Sequence, residues 1–303
     1  MIRGQTALIR RELWEHRSLY VTPLVIALVV SLMTVTGQVS VSAFDQAVDI
    51  AILGASNLGE NERSAALSLL MTGVSSMFVI GMWVLTIFYT LDSLYAERKD
   101  RSILFWRSIP CTDSETVLSK LLTAVVVVPL ITFVVIVATH LVVLTITSIW
   151  VGIRGGDAGY LIWSAAPLFD NWSVTLVFLL ALPLWLSPFI GWFLFVSAFA
   201  KRSPLLIAFL PIVILPMLEK ILIGTNAFAD AFFARSVKIP LFRGIDPTDI
   251  FDEESHTVSE NLQLIDLLNL GGFIGSSGLW LGLLVCGLFT TAAIYVRRYR
   301  DES

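Results

Sequence analysis

Six long apolar runs dominate this chain: Tyr20–Thr36, Leu67–Tyr89, Leu121–Ile146, Val174–Ala198, Leu205–Ile223 and Phe273–Tyr295. A run of roughly 18 or more apolar residues crosses the ~30 Å hydrocarbon layer as a helix. The helix is the form lipid demands, because it satisfies every backbone donor and acceptor internally. The expected fold class is therefore an all-α polytopic membrane protein with six transmembrane helices.

Charge placement orients these spans. With the N-terminus inside, Arg3, Arg10, Arg11 and Arg17 precede the first span. Arg98, Lys99, Arg101, Arg107 and Lys120 lie between spans two and three. Lys201 and Arg202 fill the turn between spans four and five, and Arg297, Arg298 and Arg300 follow span six. Fourteen of the 20 basic residues then face inward, while Arg63, Arg154, Lys220, Arg235, Lys238 and Arg243 are scattered outside. The bias predicts an N-in, C-in topology.

Composition leaves little else. With 56% hydrophobic and 15% charged residues, no sizeable soluble domain is expected, and no internal repeat is evident. The net charge of −4 is uninformative when the two faces differ in sign. Cys111 falls in an inner loop and Cys286 within a span, an arrangement that disfavours both a disulfide and a thiolate metal site. The charged N-terminal stretch leads straight into a full span, which is expected to act as its own insertion signal.

Residues 1–18 read as an interfacial helix: Ile2, Ile9 and Leu13 form an apolar stripe beside the arginine stripe Arg3, Arg10 and Arg17. The second span is expected to continue as a helix beyond Tyr89 to about Glu97. There follow a charged stretch and four adjacent large apolar residues, Ile103, Leu104, Phe105 and Trp106, before Pro110. Such a knob in an aqueous loop calls for a covering surface, either lipid or a soluble partner. Thr112 and Asp113 are candidate caps for the next helix, with Glu115 or Thr116 in its first turn. On the outer side, Gly37–Ala66 suits a surface helix. Trp150–Trp172 suits a loop pinned at the interface by indoles. Residues 224–272 form the largest outer piece, ending in an apolar lead-in, Leu264–Leu270, that suits a short re-entrant helix.

The segment Glu97–Lys120, ERKDRSILFWRSIPCTDSETVLSK, resembles the loop between the second and third spans of the type-two (ABC-2) family of ABC exporter permeases. The shared pattern is an acidic–basic start (Glu97–Arg98), a short amphipathic helix (Ile103–Ser108), a Pro turn (Pro110) and a Lys opening the next span (Lys120). This chain has Arg101–Ser102 where the family often has Gly-Thr. The amphipathic N-terminal helix, the six spans and the outer insertion before the last span agree in outline. The resemblance implies that residues 96–110 form a coupling helix docking into a separate nucleotide-binding ABC ATPase. Glu97, Arg98, Arg101, Ile103, Leu104, Phe105, Trp106 and Arg107 would make that contact. It also implies a second permease copy, identical or similar, with spans two and five lining the path between copies. Met77, Phe78, Met82, Trp83, Phe88, Tyr89, Phe209, Pro211, Pro216 and Met217 would then supply an apolar, aromatic wall suited to an amphipathic, peptide, drug-like or lipid-like cargo. The alternative is that these residues face lipid. Pro183 and Pro188 in span four, with Pro211 and Pro216 in span five, permit kinks in helices that move.

Other chemistries find less support. No G-x-x-x-x-G-K-[ST] loop occurs, so ATP and Mg would be bound by the partner ATPase and the chain itself holds no cofactor and no metal. No charge lies at a span centre, which disfavours the alternative reading, an ion-gradient-driven secondary carrier. A membrane scaffold or sensor is the remaining class. Gly275-Ser276-Ser277-Gly278 spells the G-x-S-G of rhomboid proteases, but His16, His140 and His256 all precede it, so close helix packing is the better account. His140 reads as a hydrogen-bonded packing histidine rather than a proton sensor. Glu219 and Lys220 are candidates for an outer gate or for a pair snorkelling to the headgroups. Asp246, Asp249, Asp252, Glu253 and Glu254 lack EF-hand spacing and read as a solvated turn. Nothing points to nucleic acid, and the expected location is the bacterial plasma (inner) membrane.

Overall fold

The computed structural model describes residues 2–42, 56–100, 112–243 and 264–299. Their regular structure is helical, and six of the helices are long and apolar enough to cross a membrane. The chain is thus an integral, multi-pass membrane protein. Helix α1 (Ile2–Glu15) turns at His16 into α2 (Ser18–Ser42). Helix α3 (Glu60–Lys99) has 40 residues and α4 (Asp113–Ile153) has 41. At 1.5 Å per residue each is roughly 60 Å long, so both overrun the apolar layer. The continuation of α3 through Glu97 is as the sequence led us to expect. So is the start of α4, where the Thr112 hydroxyl accepts from the Glu115 amide at 3.2 Å and the Glu115 carboxylate accepts from the Thr112 amide at 3.0 Å.

Two proline effects shape the bundle. Residues Thr123–Val127 of α4 form one π turn, with the Val128 amide bonding back to the Thr123 carbonyl; Pro129, which has no amide to donate, follows directly. The fourth apolar run is not one helix. It is α5 (Leu168–Trp185) and α6 (Ser187–Phe199), broken at Leu186 between Pro183 and Pro188. Beyond it come α7 (Pro204–Leu222), α8 (Ala227–Val237), a 3-10 turn at Leu264–Leu267, the short α9 (Leu270–Gly275) and α10 (Ser277–Tyr299).

Helix α6 is the centre of the packing, wedged between α10 and α3. It buries Ile190, Gly191, Phe193, Leu194, Val196, Ser197 and Ala198. Gly191 lets α10 approach: a Cβ there would lie 2.9 Å from Cys286 Cα and 3.1 Å from its carbonyl oxygen. Helix α2 packs mainly on α4. On α3 the 3.6-residue period puts Phe78, Met82, Leu85 and Tyr89 on the core face, while Met77, Val84 and Phe88 stay exposed. Helix α7 buries only Ala208.

One outer-segment expectation changes. Helix α4 extends to Ile153, and a π turn at Gly159–Trp163 links it to α5. Trp172 therefore lies in α5 and turns inward rather than pinning a loop. Its indole donates to Nδ1 of His140 at 3.2 Å, which leaves Nε2 as the donor to the Met71 carbonyl at 3.0 Å. This is the hydrogen-bonded packing histidine that the sequence suggested. After α8 the chain returns along α5, where the Asp170 carboxylate accepts from the amides of Leu264 and Ile265 at 2.9 Å each. The acidic residues Asp246–Glu254 lie outside the described residues, as do Cys111 and Pro110.

The close approach at Gly191 has a measurable consequence. Gly191→Ala meets backbone, which cannot yield, and is expected to cost ~1–3 kcal/mol by overpacking. Gly81→Ala meets only the flexible end of Ile26 and is expected to cost roughly 1 kcal/mol or less. Thermal unfolding of the two variants in detergent should rank them in that order.

Candidate functional site

The ends of α1, α3, α4 and α10 meet at one pole of the bundle, where their charges are buried rather than solvated. Lys120 on α4 is fully buried, as is Glu12 on α1; Glu97 on α3 and Arg297 on α10 are only 5% and 6% exposed. A lone charge at such depth would be prohibitive, so the geometry has to pair each one. It does. Lys120 Nζ donates to both Glu12 oxygens at 2.8 and 3.0 Å and lies 3.1 Å from Glu97 Oε1. Arg11 reaches the same Glu97 oxygen at 2.8 Å, and Arg297 takes the other. The Tyr89 hydroxyl donates to Glu12 Oε2 at 2.9 Å.

The network extends outward to two more carboxylates. Arg11 holds Glu15 at 2.9 and 3.1 Å in a paired, one-turn contact. Arg297 Nε donates to Asp113 at 2.9 Å. Burial by itself would lower the pKa of Arg11, but the bond to Glu15 and the field of Glu97 outweigh it and the net shift is upward. His16 is moved the other way. Burial lowers its pKa against the pull of Glu12, 3.9 Å away, and its ring meets Tyr89 edge-on at 5.0 Å. Glu12, Glu15 and Glu97 lie close enough to share a metal ion. Lys120, Arg11 and Arg297 already bond to these carboxylates, so the cluster is balanced without one.

The arrangement matters because of where it sits in the chain. Glu97 and Arg98 precede residue 101, and Thr112 and Asp113 follow residue 111. Arg297 joins Glu97 to Asp113 across that gap. Arg98 is tied in as well, donating to the carbonyls of Ser197 and Ala200 at 2.7 and 2.8 Å. The Ser197 hydroxyl accepts from the Leu94 and Tyr95 amides at 3.0 Å. Both roots of segment 101–111 are thereby fastened to α1, α6 and α10. The knob itself lies outside the described residues: Arg101, Ile103, Leu104, Phe105, Trp106 and Arg107.

The residues singled out for a path divide between two environments. Phe78, Met82 and Tyr89 are buried in the core and Trp83 is half-buried, whereas Met77, Phe88, Phe209 and Met217 are exposed. Pro211 and Pro216 lie within α7 and are half-buried. Glu219 and Lys220 do not bond to each other. The Glu219 carboxylate accepts from the Thr225 hydroxyl at 2.6 Å and from the Ala227 and Phe228 amides at 2.8 and 2.9 Å, which caps α8; Lys220 is exposed.

Sequence reasoning passed over Glu12. The faint signal was an acid four residues after Leu8, on the buried stripe of an otherwise basic helix. The exposed side of α1 carries Arg10, stacked on Trp14 at 4.9 Å, as its arginine stripe led us to expect. No protein family, curated protein or solved structure matches the chain.

Removing one member of the network should be worse than removing a pair. Lys120→Met strands Glu12 and Glu97 and is expected to cost ~3–5 kcal/mol. Glu12→Gln together with Lys120→Met should recover part of that loss in a double-mutant cycle of detergent stability. For His16 the folded pKa lies below the unfolded 6.5. Its contribution is therefore present above pH 6.5 and is lost as the pH falls through the folded value. The drop in Tm between about pH 7 and pH 5 should accordingly be smaller in His16→Gln than in the parent.

Proposed function

We infer that the chain is the transmembrane permease subunit of an ATP-driven exporter, as its resemblance to type-two ABC permeases implies. In this reading both termini are cytoplasmic in a bacterial inner membrane and α1 lies in the inner interface. Residues 96–110 carry a coupling helix for a separate nucleotide-binding ATPase, and residues 224–272 form the outer insertion. Two copies enclose the path. The observation that carries this reading is the buried ion network. A knob that receives a push must be rooted in something stiff, and Glu97, Arg98 and Asp113 root segment 101–111 in helices at both ends of the chain.

Two further features support it. The charged pole coincides with the basic side of the bundle, where Arg10, Arg17, Lys201 and Arg202 are exposed. Helix α7 presents apolar side chains nearly all round, including Phe209 and Met217, as suits a helix flanked by lipid on one side and by cargo or a second copy on the other. Met77 and Phe88 on α3 offer a similar surface. An apolar wall of this kind favours an amphipathic, peptide, drug-like or lipid-like cargo.

Purification of the tagged full-length chain from its native membrane in mild detergent tests the reading. A stoichiometric ATPase is expected to co-purify and to be lost when Phe105→Ala and Trp106→Ala are combined. Gradient-driven transport by a chain that purifies without an ATPase would overturn it in favour of a secondary carrier.

A further inference from the structure

The proposed coupling makes no use of the α5–α6 break, over which α8 folds back and inserts one arginine. Arg235 Nε donates to the Trp185 carbonyl at 2.9 Å and Nη1 to the Gly278 carbonyl. The guanidinium lies 4.2 Å from the centroid of the Trp185 ring. Trp185 answers by donating its indole N–H to the Arg235 carbonyl at 2.7 Å. Nearby on α8, Phe232 meets Phe189 at 5.1 Å.

The seat exists because α10 has glycines there. A Cβ at Gly282 would overlap Arg235 Nη2 and would lie 3.2 Å from Pro188 Cγ; one at Gly278 would lie 3.0 Å from the Trp185 ring. Yet the fit is incomplete. Among the described residues, Nη2 is buried without a hydrogen-bond partner and no carboxylate pairs with the guanidinium. Ser187 Oγ, in the break itself and 2% exposed, is also unsatisfied. The docked arginine is held by direct bonds, but it leaves one donor stranded that water or a headgroup would satisfy on undocking.

The element that carries it is held at both ends: just beyond α8, Leu241 is fully buried, its carbonyl accepts from the Asn269 amide at 2.7 Å, and the Arg243 amide donates to the Leu267 carbonyl at 2.8 Å. The Glu219 cap binds α8 to the end of α7, so the two move together. Helix α7 touches the body near its beginning, where the Trp192 indole donates to the Ala208 carbonyl at 3.0 Å and Phe193 meets Phe209 at 5.7 Å. Between these points Val213, Ile214, Leu215, Met217 and Leu218 are exposed. Ser203, just before α7, holds a left-handed backbone at φ 45°, ψ 67°, a strained state for a residue with a side chain and a natural place for a pivot.

We propose that α7 and α8 form a strap hinged at Ser203 and tethered at Leu241, and that Arg235 is the latch that closes it over the helix break. Undocking withdraws the guanidinium from the Gly278–Gly282 face and opens the α5–α6 break to water. This device depends on the chain alone and stands or falls separately from the ATPase reading.

The reporter is a thiol at the break, Ser187→Cys in a Cys111→Ser, Cys286→Ser background, in the full chain in sealed native membranes. A membrane-impermeant maleimide should label it slowly. Arg235→Ala removes the latch, and Gly282→Ala keeps the arginine but fills its seat. Each is expected to raise the labelling rate about tenfold. Native Cys286, packed against Gly191, is assayed in the same two variants with Cys111→Ser alone and should stay protected. A rise below about threefold in either variant overturns the latch. Labelling of Cys286 alongside also overturns it, because the loosening would then be general.

Discussion

Lys120 cannot sit where it does unless Glu12 and Glu97 are both there. A fully buried ammonium needs its hydrogen-bonding capacity met, and these two carboxylates come from helices far apart in sequence. The requirement propagates. Glu97 brings in Arg11 and Arg297, and Arg297 brings in Asp113. Four helices therefore end in one place for an electrostatic reason, while lipid-facing surfaces supply little to distinguish one helix arrangement from another. The network works as a registry device: each helix has one longitudinal position at which its charge is satisfied. Polar locks of this kind specify more than they stabilise, because the desolvation of the ions offsets much of their attraction.

The charged pole and the α5–α6 break contrast in this respect. At the charged pole, acids and bases balance closely and the hydrogen bonds are short. At the α5–α6 break a single arginine is accommodated by carbonyls, an indole face and two glycines, with part of its donor capacity unmet among the described residues. The first arrangement satisfies its charges with one another, and the second satisfies its charge with neutral groups. Pro183 and Pro188 contribute by breaking the helix where the arginine enters, which frees backbone carbonyls that a continuous helix would occupy.

Several features were legible in the residues. The apolar runs located the spans to within a few residues at many ends, because lipid imposes a length and a composition that no local context overrides. The capping box at Thr112 and Glu115, the helical continuation to Glu97 and the packing role of His140 were local or nearly local signals. The break in the fourth run was only half legible. The prolines showed where a helix could bend, but the severance at Leu186 reflects the packing of α6 against α10 and the entry of Arg235. Trp172 was misplaced because an indole near a span end suits an interface equally well, and only the facing His140 decides its direction.

What the sequence determines by itself is therefore the solvent of each segment: which stretches must lie in lipid, which ends carry the charge, and that regular structure there is helical. These follow from transfer free energies and backbone hydrogen bonding, which are properties of single segments. What only the tertiary structure decides is partnership. That Glu12 faces Lys120, that Gly282 makes room for Arg235, and that Phe78 turns inward while Met77 turns out depend on the azimuth and height of one helix against another. Those quantities are fixed by contacts between residues 40 to more than 180 positions apart, and no local pattern encodes them.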